Sequence, residues 1–232
     1  MTSSTHVRND IQGLRAIAVL GVIFFHYDKH WLSGGFVGVD IFFVISGFLI
    51  SQITLRKKEA GNFSLVNFYI SRVRRIVPAY LVMLIAVSIV MTIILTPRDF
   101  DTFKESALSA LYFNSNNFFS ALNDYFAPAG YELPLLHTWS LAVEMQFYLF
   151  LPLALMVIPV RILVPVLFLM VVFLVAGSEY FLQQDHRQAV YFSLSARVPE
   201  FLVGTLAAIL NNHRQFSKAP STALASIGML LV

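Results

Sequence analysis

The sequence predicts an all-α, polytopic membrane helix bundle. Of its 232 residues, 57% are hydrophobic and 12% charged, at a mean hydropathy of +0.72; a soluble domain carries about a quarter charged residues. Its apolar runs approach the roughly 20 residues a helix needs to cross a bilayer. Phenylalanine is frequent (22 residues) while strand-like alternation is absent, which favours helices over a β-barrel. There is no cysteine, so disulfides, thiol chemistry and zinc–thiolate sites are excluded. Seven or eight membrane segments are expected, at 13–28, 36–54, 76–96, 136–158, 161–180 and 189–210, with an incomplete one from about 220 and a weaker candidate at 104–121.

The first segment, "GLRAIAVLGVIFFHYD", is followed by no small-residue cleavage site and reads as a retained signal anchor. It carries Arg15 near one end and His26 near the other. Eleven residues at about 100° each bring His26 to within ~20° of Arg15, roughly 16 Å along the same face. Either Arg15 snorkels to headgroups and His26 caps an interface, or a basic anchor and a general base sit at opposite ends of one groove. Asp28 and His30 are near enough in sequence to orient His26.

The second segment, "GGFVGVDIFFVISGFLIS", opens with Gly34, Gly35 and Gly38, which permit close helix approach. Asp40 lies inside the apolar run and Ser46-Gly47 interrupts it. Asp40 is either interfacial or turned inward to meet a cation or His26, because an unpaired carboxylate in lipid is expensive. Arg56, Lys57, Lys58, Arg72, Arg74 and Arg75 follow, against Glu59 alone, which makes this loop cytoplasmic and puts the N-terminus on the same side.

In "NFYISRVRRIVP", Arg72 and Arg75 share a helical face and Pro78 suits the first turn of the third segment. The pair is either a positive-inside anchor or a phosphate site at a helix N-terminus for a nucleotide-like anion. The candidate at 104–121 centres on Asn114, Ser115, Asn116 and Asn117, which in lipid demands burial among helices or a re-entrant path. If it does not cross, the basic "NNHRQFSK" loop at 211–218 is also cytoplasmic.

In "HTWSLAVEMQFYLFLP", His137, Ser140 and Glu144 share one helical face. A catalytic triad is rejected, because its members must converge from separate elements. Glu144, among Leu, Val and Phe, must be neutral or paired and marks a polar core. In "SARVPEFLVG", Arg197 and Glu200 either pair with each other or present Arg197 to an anionic substrate group or to Glu144. Gly204 allows close packing. Five segments or their flanks thus carry costly polar residues, which points to an interior polar cavity. An enzyme using a large anionic cofactor and a transporter or flippase both fit such a cavity; no internal repeat favours the transporter.

These runs, in this order over nearly the whole chain, resemble the signature blocks of the acyltransferase-3 family of bacterial membrane O-acyltransferases. Arg15 and His26 match its arginine–ten–histidine motif, and Arg72 and Arg75 its R-x-x-R motif. Trp139, Ser140 and Glu144 match W-S-L-x-x-E, and Arg197, Glu200 and Gly204 match R-x-x-E-F-x-x-G. Met145 departs from the second glutamate many members carry. The resemblance implies about ten helices, acetyl-CoA as cytoplasmic acyl donor, no metal, and O-acylation of an envelope carbohydrate such as lipopolysaccharide O-antigen or peptidoglycan. Residues 1–232 are then expected to be one membrane acyltransferase domain, incomplete at its C-terminal end, in the bacterial inner membrane. A fused periplasmic SGNH domain is expected beyond Val232, and nucleic acid is not an expected partner. In this scheme Arg15, Arg72 and Arg75 bind the CoA phosphates and His26 is the base. Glu144 or Asp40 holds the imidazole, while Trp139, Ser140, Arg197 and Glu200 serve the substrate.

Overall fold

The computed structural model describes residues 8–28, 30–122 and 133–213, which contain nine α-helices and no strand. Among the described residues, five helices are long and apolar enough to cross a membrane. Helix α1 (Asn9–Tyr27) and α2 (Gly38–Glu59) are joined through a 3-10 turn, Gly35–Val37. Helix α3 (Leu65–Ile94) follows, then α4 (Pro97–Leu111), α5 (Ser115–Ala121), α6 (Thr138–Val157), α7 (Val160–Gln183), α8 (Arg187–Phe192) and α9 (Leu194–His213).

Local chemistry sets the boundaries. At the end of α2 the Asn62 N–H bonds the Lys57 carbonyl and the Gly61 N–H the Lys58 carbonyl, both at 3.0 Å. This Schellman cap needs a left-handed residue, which Gly61 supplies at φ +67°. Basic Arg56, Lys57 and Lys58 fill the last turn, where the helix dipole favours them. Three residues later the Ser64 hydroxyl accepts from the Asn67 N–H at 3.3 Å and starts α3.

That cap corrects the expected start of the third segment. Pro78 lies inside α3, not in its first turn, and Arg72, Arg74 and Arg75 are interior helical residues. The missing Pro78 N–H is tolerated because neighbouring groups in a bundle compensate. The helix-N-terminus account of an anion site therefore fails for Arg72 and Arg75; only their guanidiniums remain available for it.

Segment 104–121 is not one span. Helix α4, capped by Thr96 with Pro97 at its first position, ends in a second Schellman turn whose left-handed residue is Phe113, at φ 53°. That conformation costs a non-glycine residue roughly 1–2 kcal/mol, offset by the Phe113 ring stacked on Tyr80 at 4.9 Å. The Gln146 side-chain amide of α6 donates to the Phe113 carbonyl at 2.8 Å and to Asn116 Oδ1 at 2.9 Å. From this break α5 returns towards α8, where Gln188 donates to the Phe119 and Leu122 carbonyls. The pair α4–α5 is a helical hairpin whose polar turn is bonded by Gln146, while Ser115 Oγ stays buried without a partner among the described residues. The expected segment from about 220 lies outside the described residues.

Side-chain contacts give each helix its direction. Arg197 meets Asp40 at one end of the α2–α9 pair and Asn212 meets Glu59 at the other, so α2 and α9 run parallel. Lys58 Nζ donates to the last carbonyls of α6, Leu155 at 2.7 Å and Met156 at 3.1 Å. Helix α6 therefore runs the same way. At the centre of these three helices Phe201 stacks on Phe43 (4.6 Å between centroids) and on Phe147 (4.2 Å). Helices α2 and α9 touch at backbone distance: a Cβ on Gly47 would strike the Phe201 carbonyl, and one on Gly204 the Val44 carbonyl.

Candidate active site

One cavity of about 610 Å³ runs along α1, α2, α3 and α6. Arg15, Arg72 and Arg75 line it, as do His26, His137, Ser46, Glu144 and Trp139. Antiparallel α1 and α2 place the arginines towards the end marked by Lys58 and the histidines towards the end marked by Asp40. The approximately 16 Å axial separation of Arg15 and His26 in one helix thus becomes the long dimension of a lined space.

His26 is held by its own helix. Its Nδ1 lies 2.8 Å from the Val22 carbonyl oxygen. A carbonyl can only accept, so Nδ1 carries the proton and Nε2 is the basic nitrogen left free. This corrects the expectation that Glu144 or Asp40 fixes the tautomer. Asp28 does not orient His26 either; it accepts from the His30 backbone N–H at 2.8 Å and pairs with its ring at 2.9 Å. The ring that meets His26 is His137, edge to face at 5.1 Å between centroids.

Glu144 sits farther along the cavity. Its Oε1 accepts from Ser46 Oγ at 2.6 Å and from the Tyr148 hydroxyl. Two donors on one oxygen account for a carboxylate at this depth. Removing the Tyr148 hydroxyl forfeits about 1–2 kcal/mol. Tyr148→Phe is thus expected to lower the thermal unfolding midpoint in detergent by ~3–6 °C, and an unchanged midpoint would show that the bond contributes nothing.

Asp40 faces inward, but towards Arg197, whose Nη1 reaches Asp40 Oδ1 at 2.9 Å and Glu200 Oε1 at 3.7 Å. The Arg197 guanidinium also lies over Tyr191 (4.6 Å) and Trp139 (5.6 Å). Asp40, Arg197 and Glu200 do not line the cavity; they form an ion cluster behind its Trp139 wall. Neither an Arg197–Glu144 contact nor an Asp40–His26 contact forms. Ser140 lines the cavity and its hydroxyl bonds the His137 carbonyl at 3.2 Å, steadying the start of α6.

The arginines of the cavity differ from the ion-paired Arg197. Among the described residues, Arg15, Arg72 and Arg75 make no ion pair, and Arg72 Nε is buried without a hydrogen-bond partner. Arg72 rests instead over the Phe68 ring at 5.4 Å and faces Tyr148 at 6.0 Å. A buried guanidinium N–H left open beside a cavity is poised for an anionic ligand. No group of three or more His, Cys, Asp or Glu that could hold a metal occurs among the described residues.

The sequence model of the acyltransferase-3 family, described as an acyltransferase domain, matches residues 8–232. The chain belongs to this family. A Staphylococcus aureus (strain COL) protein named "Putative O-acetyltransferase SACOL0978" is 38% identical over 209 residues, covering 86% of this chain and 34% of that protein. The "O-acetyltransferase OatA" of S. aureus strain NCTC 8325 is 36% identical over the same shares. The chain thus spans about a third of the length of the curated relatives it matches. No solved structure matches it. Arg15, His26, Arg72 and Arg75 line the cavity together with Trp139, Ser140 and Glu144, whereas Arg197 and Glu200 build the ion cluster behind it.

Sequence reasoning missed three contacts, those of Tyr148 and Ser46 with Glu144 and of His137 with His26. Tyr148 was discoverable, four residues after Glu144 on the same helical face. Ser46 is 98 residues from its partner Glu144, and His137 belongs to a different helix from His26, so no local pattern announces either.

Proposed function

We propose that this acyltransferase carries an acetyl group from cytoplasmic acetyl-CoA to a hydroxyl of a cell-envelope carbohydrate, such as lipopolysaccharide O-antigen or peptidoglycan, at the opposite face of the bacterial cytoplasmic membrane. The observation that carries this reading is the single cavity lined by Arg15, Arg72 and Arg75 together with His26. Unpaired guanidiniums suit the phosphates and nucleotide end of the donor. The apolar lining between them and His26, including Val19, Ile45, Leu49 and Ile76, suits a slender pantetheine arm. Lys/Arg enrichment at the arginine end supports a cytoplasmic location for that end. Relatives named O-acetyltransferases support acetyl as the group moved.

At the far end, His26 Nε2 removes the proton from the acceptor hydroxyl as its oxygen attacks the thioester carbonyl carbon. The carbon–sulfur bond breaks and CoA departs as the thiolate, which then takes up a proton. Nδ1–H, tied to Val22, keeps Nε2 as the nitrogen free to take that proton.

The donor site is tested by titrating CoA into purified Arg72→Ala protein. Losing charge-assisted contacts worth about 1.5–3 kcal/mol should weaken binding roughly 10–100-fold. Unchanged affinity would rule Arg72 out of the donor site.

A further inference from the structure

Transfer of an acyl group from a thioester to an alcohol moves one proton from oxygen to sulfur. In the reading above His26 accounts for its removal, and the sulfur still needs a proton. The wall of the cavity supplies a second imidazole at the right place. His137 precedes α6 at its N-cap, lines the same cavity and meets the His26 ring edge to face at 5.1 Å. Among the described residues neither of its ring nitrogens has a hydrogen-bond partner, in contrast to the tethered His26. Its backbone is fixed, because its carbonyl accepts from Ser140 Oγ and the preceding turn is closed by Leu136 N–H to the Leu133 carbonyl at 3.0 Å.

We propose that His137 is a second catalytic residue, the general acid that protonates the departing CoA thiolate. This rests on the assignment of His26 as base. Two adjacent imidazoles do not both carry charge at once, so in the proposed cycle His137 starts in its protonated, acid form and His26 in its neutral form. The acceptor O–H bond breaks and its proton goes to His26 Nε2. The new carbon–oxygen bond forms, the carbon–sulfur bond breaks, and sulfur takes the proton of His137. The proton on His26 is then released to solvent and His137 takes one up, restoring the pair with no other co-reactant.

The test compares two donors on the full-length protein, with envelope glycan from cells lacking the gene as acceptor. Acetyl-CoA leaves as a basic thiolate, whereas p-nitrophenyl acetate leaves as a phenolate that needs no proton. His137→Ala and His137→Gln are each expected to slow transfer from acetyl-CoA about 100-fold while leaving transfer from p-nitrophenyl acetate near the wild-type rate and CoA binding intact. Equal losses with both donors would overturn the proposal by showing a structural role. A wild-type rate with acetyl-CoA would overturn it outright. Neither outcome touches the His26 assignment, which stands or falls on loss of transfer from both donors in His26→Ala.

Discussion

Purified protein carrying His26→Ala is expected to lose acetyl transfer by a factor of about 10²–10⁴, the usual value of a positioned general base, while binding CoA with unchanged affinity. The split between turnover and binding follows from geometry. His26 sits at the far end of the cavity from Arg15, Arg72 and Arg75, and among the described residues its one hydrogen bond is to its own helix, so its removal breaks no hydrogen bond to another helix. His26→Asn is the informative companion, since its amide can still donate to the Val22 carbonyl but cannot accept a proton. Both variants should be inactive and folded. Wild-type rates in either would remove His26 from the chemistry.

The second large effect is structural. Gly47→Leu is expected to abolish the folded bundle, and Gly204→Leu to do the same. A Cβ at Gly47 would overlap the Phe201 backbone carbonyl, with the Phe201 carbonyl carbon and Cα both 2.8 Å away; at Gly204 it would strike the Val44 carbonyl, with Phe48 N at 2.8 Å. These are backbone atoms of rigid helices and cannot turn aside. Overpacking a core that can adjust costs about 1–3 kcal/mol; separating α2 from α9 also unstacks Phe43 from Phe201 and breaks the Ser51–Thr205 and Arg197–Asp40 bonds. Gly177→Leu is the control, because nothing lies within 4 Å of its Cβ position in α7. Size-exclusion profiles in detergent should show loss of the monodisperse peak for Gly47→Leu and Gly204→Leu but retention for Gly177→Leu.

Apolar run length made the long helices legible, because a membrane span is a composition signal needing no partner. It misplaced the start of α3, since the polar stretch from Leu65 to Arg75 is held helical by the Ser64 cap and by contacts such as the Tyr69 hydroxyl on the Leu149 carbonyl, not by hydropathy. The α4–α5 hairpin was legible as a problem, a run of Asn in an apolar context, but its solution lay in Gln146, thirty residues away. In the site, Arg15 and His26 were legible as a pair because one helix fixes their phase. The pairing of Asp40 with Arg197, across 157 residues, was not, nor was the diversion of Asp40 and Glu144 away from His26. Charges in a membrane must find partners, and sequence says which residues need them but not which helix will provide them.

The central claim is that one passage joins the inner arginines to the outer imidazole, and an introduced thiol can interrogate it. None of the 232 residues is a cysteine, so among them His26→Cys adds a unique reactive thiol. The measurement is labelling of that cysteine by the mixed disulfide of CoA with thiopyridine, read by peptide mass spectrometry on the full-length protein. The account predicts rapid CoA attachment at position 26, slowed by excess acetyl-CoA and by adding Arg72→Ala with Arg75→Ala. Labelling by a small pyridyl disulfide but not by the CoA form, or CoA labelling indifferent to both arginines, would contradict it.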